Sequence, residues 1–499
     1  MISSNETAPQ SVGWPLRANL LPEESQKGHT GFSLPKGDFA GASDPVEGSQ
    51  KRTLALDLPE MSELGVVRHF TRLSQLNYSI DGGFYPLGSC TMKYNPRVNE
   101  ATASHPGFLR LHPLTPPEFA QGALELMYNL EKQLAEISGF ERVTLQPGAG
   151  AQGEYAGIQM IRACLTHRGN PRKKILIPES AHGTNGATAA MCGYEVVPIK
   201  AAPNGLVNLA EVDAFTREGD VAGIMITNPS TVGLFESEIV KISKLIHERG
   251  GLVYCDGANF NAMLGITRPG DAGIDVMHFN MHKTFTTPHG GGGPGCGGAG
   301  VSKTLEPFLP KPIVKKSGDQ FDFDWNRPLS IGKVKDFHGH FLMMVRAYTY
   351  ICELGPEGIR KVGEDAILLA NYIRSRLQGA YQIAYDKPCM HEVVFSDKIQ
   401  LQNGVKTLDI AKRLIDKGFH PPTIYFPLIV PGALMIEPTE TESLSTVKAF
   451  VGAMLEIADE AKQENAHARF FAKAPHQAPV GRVNETVAAR DLKLTWRDL

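Results

Sequence analysis

The chain has 499 residues, of which 42% are hydrophobic and 21% charged, and a formal net charge of -3 at pH 7. That length exceeds one compact core and predicts about two or three domains, while the composition is that of a soluble globular protein. The near-neutral charge excludes an electrostatic grip on nucleic acid or anionic membrane, and no apolar run is long enough to span a bilayer.

The opening residues, MISSNETAPQ, lack a basic region followed by an apolar stretch, so no signal peptide and a cytoplasmic location are expected. Seven cysteines are scattered without a C-x-x-C pair. Reduced thiols are therefore expected, with neither a disulfide framework nor a structural zinc.

Residues 1–60, rich in Ser, Gly, Pro and charge, read as an N-terminal arm. Turn signals follow at Asp81-Gly82-Gly83 and Tyr94-Asn95-Pro96. Leu124, Met127, Leu130, Leu134 and Ile137 then repeat at helical spacing, with Gly139 as the stop. From about 140 to 305 short apolar strands alternate with helices. The strands are predicted at Lys174–Pro178, Glu195–Ile199, Val221–Thr227, Leu252–Cys255 and Ile274–Phe279, with helices such as Glu154–His167 and Ser237–Arg249 between them. This alternation predicts βαβ units and a mostly parallel sheet, which binds ligands beyond the carboxyl ends of its strands.

A second α/β region is predicted over 336–470, with a helix at 363–377, a strand at His391–Phe395, a helix at 407–417, a strand at Leu434–Ile436 and a helix after Thr441. The large domain is thus placed at 61–335, the small C-terminal domain at 336–470, and a surface tail at 471–499.

The polar residues fall at strand ends. One strand runs into His182, the next into Asn228, the next into Asp256, and the last into Lys283 and Thr284. A pyridoxal phosphate (PLP) site needs this set. The lysine forms a Schiff base with the cofactor, and a carboxylate keeps the pyridine nitrogen protonated. A donor faces the ring hydroxyl, and a flat group lies over the ring. Lys283, Asp256, Asn228 and His182 are assigned these roles in that order. Gly148-Ala149-Gly150-Ala151-Gln152-Gly153 precedes the helix starting near Glu154 and supplies backbone N–H groups for the phosphate, with Gly150, Ala151 and Gln152 as the candidates. Singly, each residue has a plainer reading: a turn or cap Asp, a solvated Lys, a hydrogen-bonded structural His. Together, on consecutive strands, they argue for the cofactor.

Other patterns lead nowhere. His278, His282 and His289 have no adjacent acidic ligand, and no metal is expected. Residues Gly290–Gly300 contain G-x-G-x-x-G twice, at Gly290-Gly292-Gly295 and Gly293-Gly295-Gly298. No apolar strand leads into them and no helix follows, so they are expected to form a loop. P-loop and G-x-S-x-G signatures are absent.

Longer strings carry a family resemblance: Val67-Arg68-His69-Phe70-Thr71-Arg72-Leu73-Ser74, Tyr85-Pro86-Leu87-Gly88-Ser89-Cys90-Thr91-Met92-Lys93-Tyr94-Asn95-Pro96, Gln121-Gly122-Ala123-Leu124-Glu125-Leu126, Ser180-Ala181-His182-Gly183-Thr184-Asn185, Asp256-Gly257-Ala258-Asn259, His282-Lys283-Thr284-Phe285 and Ile436-Glu437-Pro438-Thr439-Glu440-Thr441-Glu442. With these, over roughly 30–460, the chain resembles the lysine-bearing subunit 2 of two-subunit glycine decarboxylase, the P-protein of the glycine cleavage system. It departs from the family's pattern at Pro431-Gly432, where an acidic residue or His is usual.

The resemblance implies a PLP-dependent transferase type I fold and an α2β2 heterotetramer with a homologous, lysine-less subunit 1. It implies decarboxylation of glycine and transfer of the aminomethyl group to the lipoyl arm of H-protein, releasing CO2. Lys283, His182 and Asp256 match the family's cofactor positions. The Leu87–Thr91 loop is expected near the substrate, with Ser89, Cys90 and Thr91 as candidate substrate residues, and Ser89 and Thr91 as candidates for the glycine carboxylate. His338 and His340 are weaker candidates. The competing readings are another type I PLP enzyme, such as an amino-acid decarboxylase or cysteine desulfurase, and a non-catalytic partner subunit.

Overall fold

The computed structural model describes residues 19–31, 48–54, 56–290 and 295–495. The chain forms two compact units, Met1–Gly82 with Lys473–Leu499, and Gly83–Ala472. The arm expected over 1–60 lies partly outside the described residues. In the first unit the helix Glu63–Leu76 is capped by Ser62, whose Oγ accepts the Gly65 N–H. Arg72 of this helix donates to Glu24 Oε1 at 2.8 Å. Sequence reading left this helix unassigned.

The second unit is built on a seven-stranded sheet: Arg142–Thr144 (β1), Lys174–Pro178 (β2), Glu195–Ile199 (β3), Val221–Thr227 (β4), Leu252–Asp256 (β5), Val276–Asn280 (β6) and Gly297–Val301 (β7), in the order β1-β7-β6-β5-β4-β2-β3. Neighbours from β3 to β6 are parallel, and β7 runs antiparallel to both β6 and β1. Strands β4, β5 and β6 are buried along their whole length, as expected for a sheet covered on both faces. One apolar cluster includes Leu176, Ile224, Val253 and Met277, and another holds their strand neighbours Ile175, Met225, Tyr254 and Val276. Successive residues of each strand thus feed opposite layers.

The glycine run corrects one expectation. Gly297–Val301 is a buried strand, not a loop. Its glycines allow close approach: a Cβ on Gly297 would stand 2.3 Å from the Ala149 carbonyl oxygen, and one on Gly300 would stand 2.5 Å from Phe140 Cδ2. Space for the neighbouring helix, rather than strand propensity, selects these residues. Residues 291–294, and with them part of both G-x-G-x-x-G patterns, lie outside the described residues.

The strands Ile313–Ser317 (β8) and Gln320–Asp324 (β9) form a hairpin that sequence reading missed. It is tied to the helix Gln121–Ser138 by Gln121, which exchanges two hydrogen bonds with the Phe321 backbone, each 2.8 Å. The helix Phe341–Leu377 then joins two cores, its first half packing among the large-sheet residues and Ala370, Ile373 and Leu377 among the small-sheet ones. Only 363–377 was expected, because Gly355 (φ 60) and Pro356 interrupt the pattern. The small sheet contains Gln382–Ile383 (β10), Val393–Ser396 (β11), Thr423–Ile424 (β12) and Ala433–Ile436 (β13), antiparallel in the order β10-β11-β13-β12. Among the described residues no helix is long and apolar enough to cross a membrane.

Candidate active site

The carboxyl ends of β2, β4, β5 and β6 open into a cavity of about 460 Å³. Its lining includes His182, Thr227, Asp256 and Lys283 from these strand ends. Ala151 enters from the helix Gly150–His167, and Leu87–Cys90 from a loop much earlier in the chain. Thr423 comes from β12 of the small sheet and Phe426 from the segment between β12 and β13.

Lys283 follows β6 on the short turn Met281–Thr284, and its Nζ donates to the Ser89 carbonyl oxygen at 2.8 Å. Asp256 ends β5 and is buried. Its Oδ1 accepts the Ala258 N–H at 2.9 Å, and its Oδ2 accepts Asn185 Nδ2 at 3.0 Å. His278 Nε2 stands 3.5 Å from Oδ1. Burial alone would push this carboxyl up, but His278, Asn185, the Ala258 N–H and Lys283 outweigh it and hold the pKa below the ordinary value. Asn185 also bonds Glu154 Oε1 at 3.0 Å, and burial together with Asp256 pushes Glu154 up. The negative charge therefore concentrates on Asp256.

His182 caps the helix Gly183–Met191: its Nδ1 accepts the Thr184 N–H at 3.2 Å and lies 2.8 Å from Thr184 Oγ1. Burial and the nearby cation Lys283 lower its pKa, so the ring is neutral at pH 7. Its other side meets Phe426 edge-on at 5.8 Å between ring centroids.

The donor set fits PLP. Asp256 is a buried carboxylate kept ionised, as a protonated pyridine nitrogen requires. The helix Gly150–His167 has Ala149 at its N-cap, which offers no side-chain acceptor, so its first N–H groups are left for an anion. Thr227 Oγ1 and Asn259 Oδ1 are buried and without a hydrogen-bond partner among the described residues, and both residues line the cavity. Orphaned polar atoms of this kind call for a ligand.

Several assignments change. Asn228 does not line the cavity; its Oδ1 accepts the Glu236 N–H at 2.9 Å. Thr227, one residue earlier, faces the cavity instead, because successive side chains on a strand point to opposite sides. Gln152 ties the preceding loop, accepting the Gly148 N–H at 2.7 Å and donating to the Val334 carbonyl, and only Ala151 of Gly150–Gln152 lines the cavity. Thr284, the last residue of the turn, is buried and outside the lining. Ser89 and Cys90 line the cavity but Thr91 does not. The hydroxyls of Ser89 and Thr91 are already spent on Glu392 (3.0 Å) and Glu437 (2.6 Å), so neither is free for a substrate carboxylate. His338 stacks on Phe323 and His340 bonds the Gly295 carbonyl; neither lines the cavity. Thr227, Asn259, Glu392 and Glu437 were missed. Strand alternation could have found Thr227; Glu437 lay in the string Ile436–Glu442 without a role, and no local signal marks Glu392.

Comparison with known proteins agrees with this geometry. Residues 37–324 match the family model described as glycine cleavage system P-protein, and 362–477 match the glycine dehydrogenase C-terminal domain. The chain is 52% identical over 481 residues to the probable glycine dehydrogenase (decarboxylating) subunit 2 of Caldanaerobacter subterraneus subsp. tengcongensis, covering 96% of this chain and 98% of that protein. Its fold resembles a crystal structure of glycine decarboxylase (P-protein) in inhibitor-bound form, with a TM-score of 0.69 at 21% identity over 81% of this chain and 92% of that one. It also resembles aspartate aminotransferase from Thermus thermophilus, with a TM-score of 0.56 at 14% identity over 76% of this chain and 100% of that one. The architecture is the type I fold of PLP-dependent enzymes. At this identity and coverage, the chain belongs to the glycine cleavage system P-protein family, as subunit 2 of the two-subunit glycine dehydrogenase (decarboxylating).

Proposed function

We propose that this chain is the PLP-holding subunit of a glycine decarboxylase that passes the aminomethyl group to a lipoylated H-protein and releases CO2. The observation that carries the reading is the convergence of Lys283, Asp256 and His182 on one cavity at the carboxyl ends of parallel strands. When bound, PLP supplies an electron sink for the pair left on the glycine α-carbon.

The residues divide the remaining work. Lys283 would hold the cofactor through its side-chain nitrogen. Asp256, ionised and anchored by Asn185 and the Ala258 N–H, keeps the proton on the ring nitrogen. Neutral His182 presents a flat face without adding a charge that would compete with the carboxyl of glycine. The first N–H groups of Gly150–His167 hold the phosphate. Thr227 and Asn259 offer unspent polar atoms to the cofactor or the glycine. A homologous, lysine-less subunit 1 completes an α2β2 assembly, in the cytoplasm.

The test is exchange of labelled bicarbonate into the carboxyl of glycine, with this chain, PLP, lipoylated carrier and the partner subunit. Exchange that needs both partner and carrier, and is lost in Lys283→Ala, is the expected result. No exchange in the full mixture, with a visible PLP band still present, refutes the glycine reading.

A further inference from the structure

Two glutamates of the small sheet stand behind the loop that faces Lys283. Glu392 precedes β11 and Glu437 follows β13, whose antiparallel register sets Val393 opposite Ile436. The two carboxyls therefore leave neighbouring strands at the same end. Both residues are buried, as is His391, and one oxygen of each carboxyl lies within 4.8 Å of the other and of a His391 ring nitrogen.

Their oxygens are directed at the loop. Glu392 Oε2 accepts the Ser89 N–H at 2.7 Å, and Ser89 Oγ donates to the same carboxyl. Glu437 Oε2 accepts the N–H groups of Cys90 at 3.1 Å and Thr91 at 3.0 Å, and its Oε1 accepts Thr91 Oγ1 at 2.6 Å. Three consecutive backbone donors are thus gripped by two carboxyls. The grip holds Ser89 (φ 57) and Thr91 (φ 45) in left-handed backbone that residues with a Cβ rarely adopt. That conformation turns the Ser89 carbonyl toward Lys283 Nζ, which it meets at 2.8 Å.

Two carboxylates this close in a dry site do not both ionise. The groups facing Glu392 are Glu437, His391, Cys90 and Cys389, with Lys283 as the nearby cation. Burial first, and Glu437 second, push the Glu392 carboxyl well above its ordinary range, while burial keeps His391 neutral.

We propose that Glu392 and Glu437 are positioning residues of the glycine site: together they fix the Ser89–Thr91 loop and so aim the Ser89 carbonyl at Lys283. This rests on the reading of Lys283 as the cofactor-holding amine. The competing occupant of the pair is a divalent cation, since both His391 ring nitrogens are buried without a hydrogen-bond partner among the described residues.

The first test needs no cofactor. A carboxyl whose folded pKa is raised contributes stability that is present below its ordinary value and lost as pH rises through the folded one. Glu392→Gln keeps the shape and carries no titrating proton. In PLP-free protein the melting temperature of Glu392→Gln minus that of wild type is expected to rise steadily as pH increases above the ordinary carboxylate value. A flat difference overturns the retained proton on Glu392 and with it this account of the pair. So does a stoichiometric divalent metal in purified wild type that Glu392→Gln loses. Because PLP is absent, neither result depends on the proposed reaction. The second test is glycine–bicarbonate exchange: Glu392→Ala is expected to lose about a hundredfold in turnover, and Glu392→Gln to recover most of it. Equal losses in the two variants overturn the positioning role.

Discussion

Gly150→Ala tests whether the start of the helix Gly150–His167 holds the cofactor phosphate. A Cβ there would stand 2.1 Å from Asn280 Nδ2, where ordinary contact begins at 3.4 Å. Asn280 cannot easily step aside: it is buried, and its Oδ1 lies 2.7 Å from His278 Nε2, the ring that also faces Asp256. Overpacking of this kind costs about 1–3 kcal/mol. Losing the Asn280–His278 bond would add about 1 kcal/mol. Against this, alanine gains at most about 1 kcal/mol over glycine in a helix. The overpacking wins, and the chain relieves it by moving the first helical turn away from the cavity. If that turn supplies the phosphate's donors, PLP binding weakens about tenfold to a hundredfold, since each 1.4 kcal/mol is about tenfold in affinity. Absorbance titration of the PLP-free protein reads this directly. Gly183→Ala is the control, because its Cβ would meet nothing within 4 Å at the start of the neighbouring helix. Unchanged PLP affinity in Gly150→Ala, with a lowered melting temperature, would refute the phosphate assignment. An unchanged melting temperature would refute the packing argument.

Two further outcomes concern stability. Lys93 is buried, with Nζ 2.7 Å from Glu440 Oε1 and 2.8 Å from Asn261 Oδ1. Lys93→Met leaves Glu440 without its cation and should cost about 3 kcal/mol in chemical denaturation. Lys93→Met with Glu440→Gln should recover part of that loss, and equal stability of the single and double variants would refute the ion-pair account. His247 Nε2 lies 2.7 Å from Asp275 Oδ2, and this bond raises the His247 pKa above its ordinary value. The stabilisation it gives is present in full below the ordinary His value near 6.5 and lost as pH rises through the raised one. The melting temperature of His247→Gln should therefore fall below wild type in mild acid and converge with it in alkali. The half-exposed ring limits the effect to under about 1 kcal/mol.

What the sequence disclosed divides by distance along the chain. β2, β3 and β4 occur at the predicted residues, and the polar residue closing each buried strand was visible in its own neighbourhood. Lys283, Asp256 and His182 were legible for that reason: each needs only its own strand to be placed at the sheet's carboxyl edge. Asn228 shows the resolution of such reading, since a one-residue step transfers the role of facing the cavity to Thr227. β7 was illegible because glycine is a poor strand former and its reason for being there lies in another element, the helix whose Gly153 would carry a Cβ 2.7 Å from the Gly298 carbonyl oxygen. Glu392 and Glu437 were illegible for a stronger reason. They meet Ser89 and Thr91 across 303 and 346 residues of chain, and although Glu437 stands in the string Ile436–Glu442, nothing local gives either glutamate its partner. The groups that would contact the cofactor are set by local strand chemistry. The groups that fix the loop facing them are set by the pairing of β11 with β13. A substitution that disturbs that pairing should therefore reach Lys283 through Ser89, although no residue of the small sheet hydrogen-bonds the lysine among the described residues.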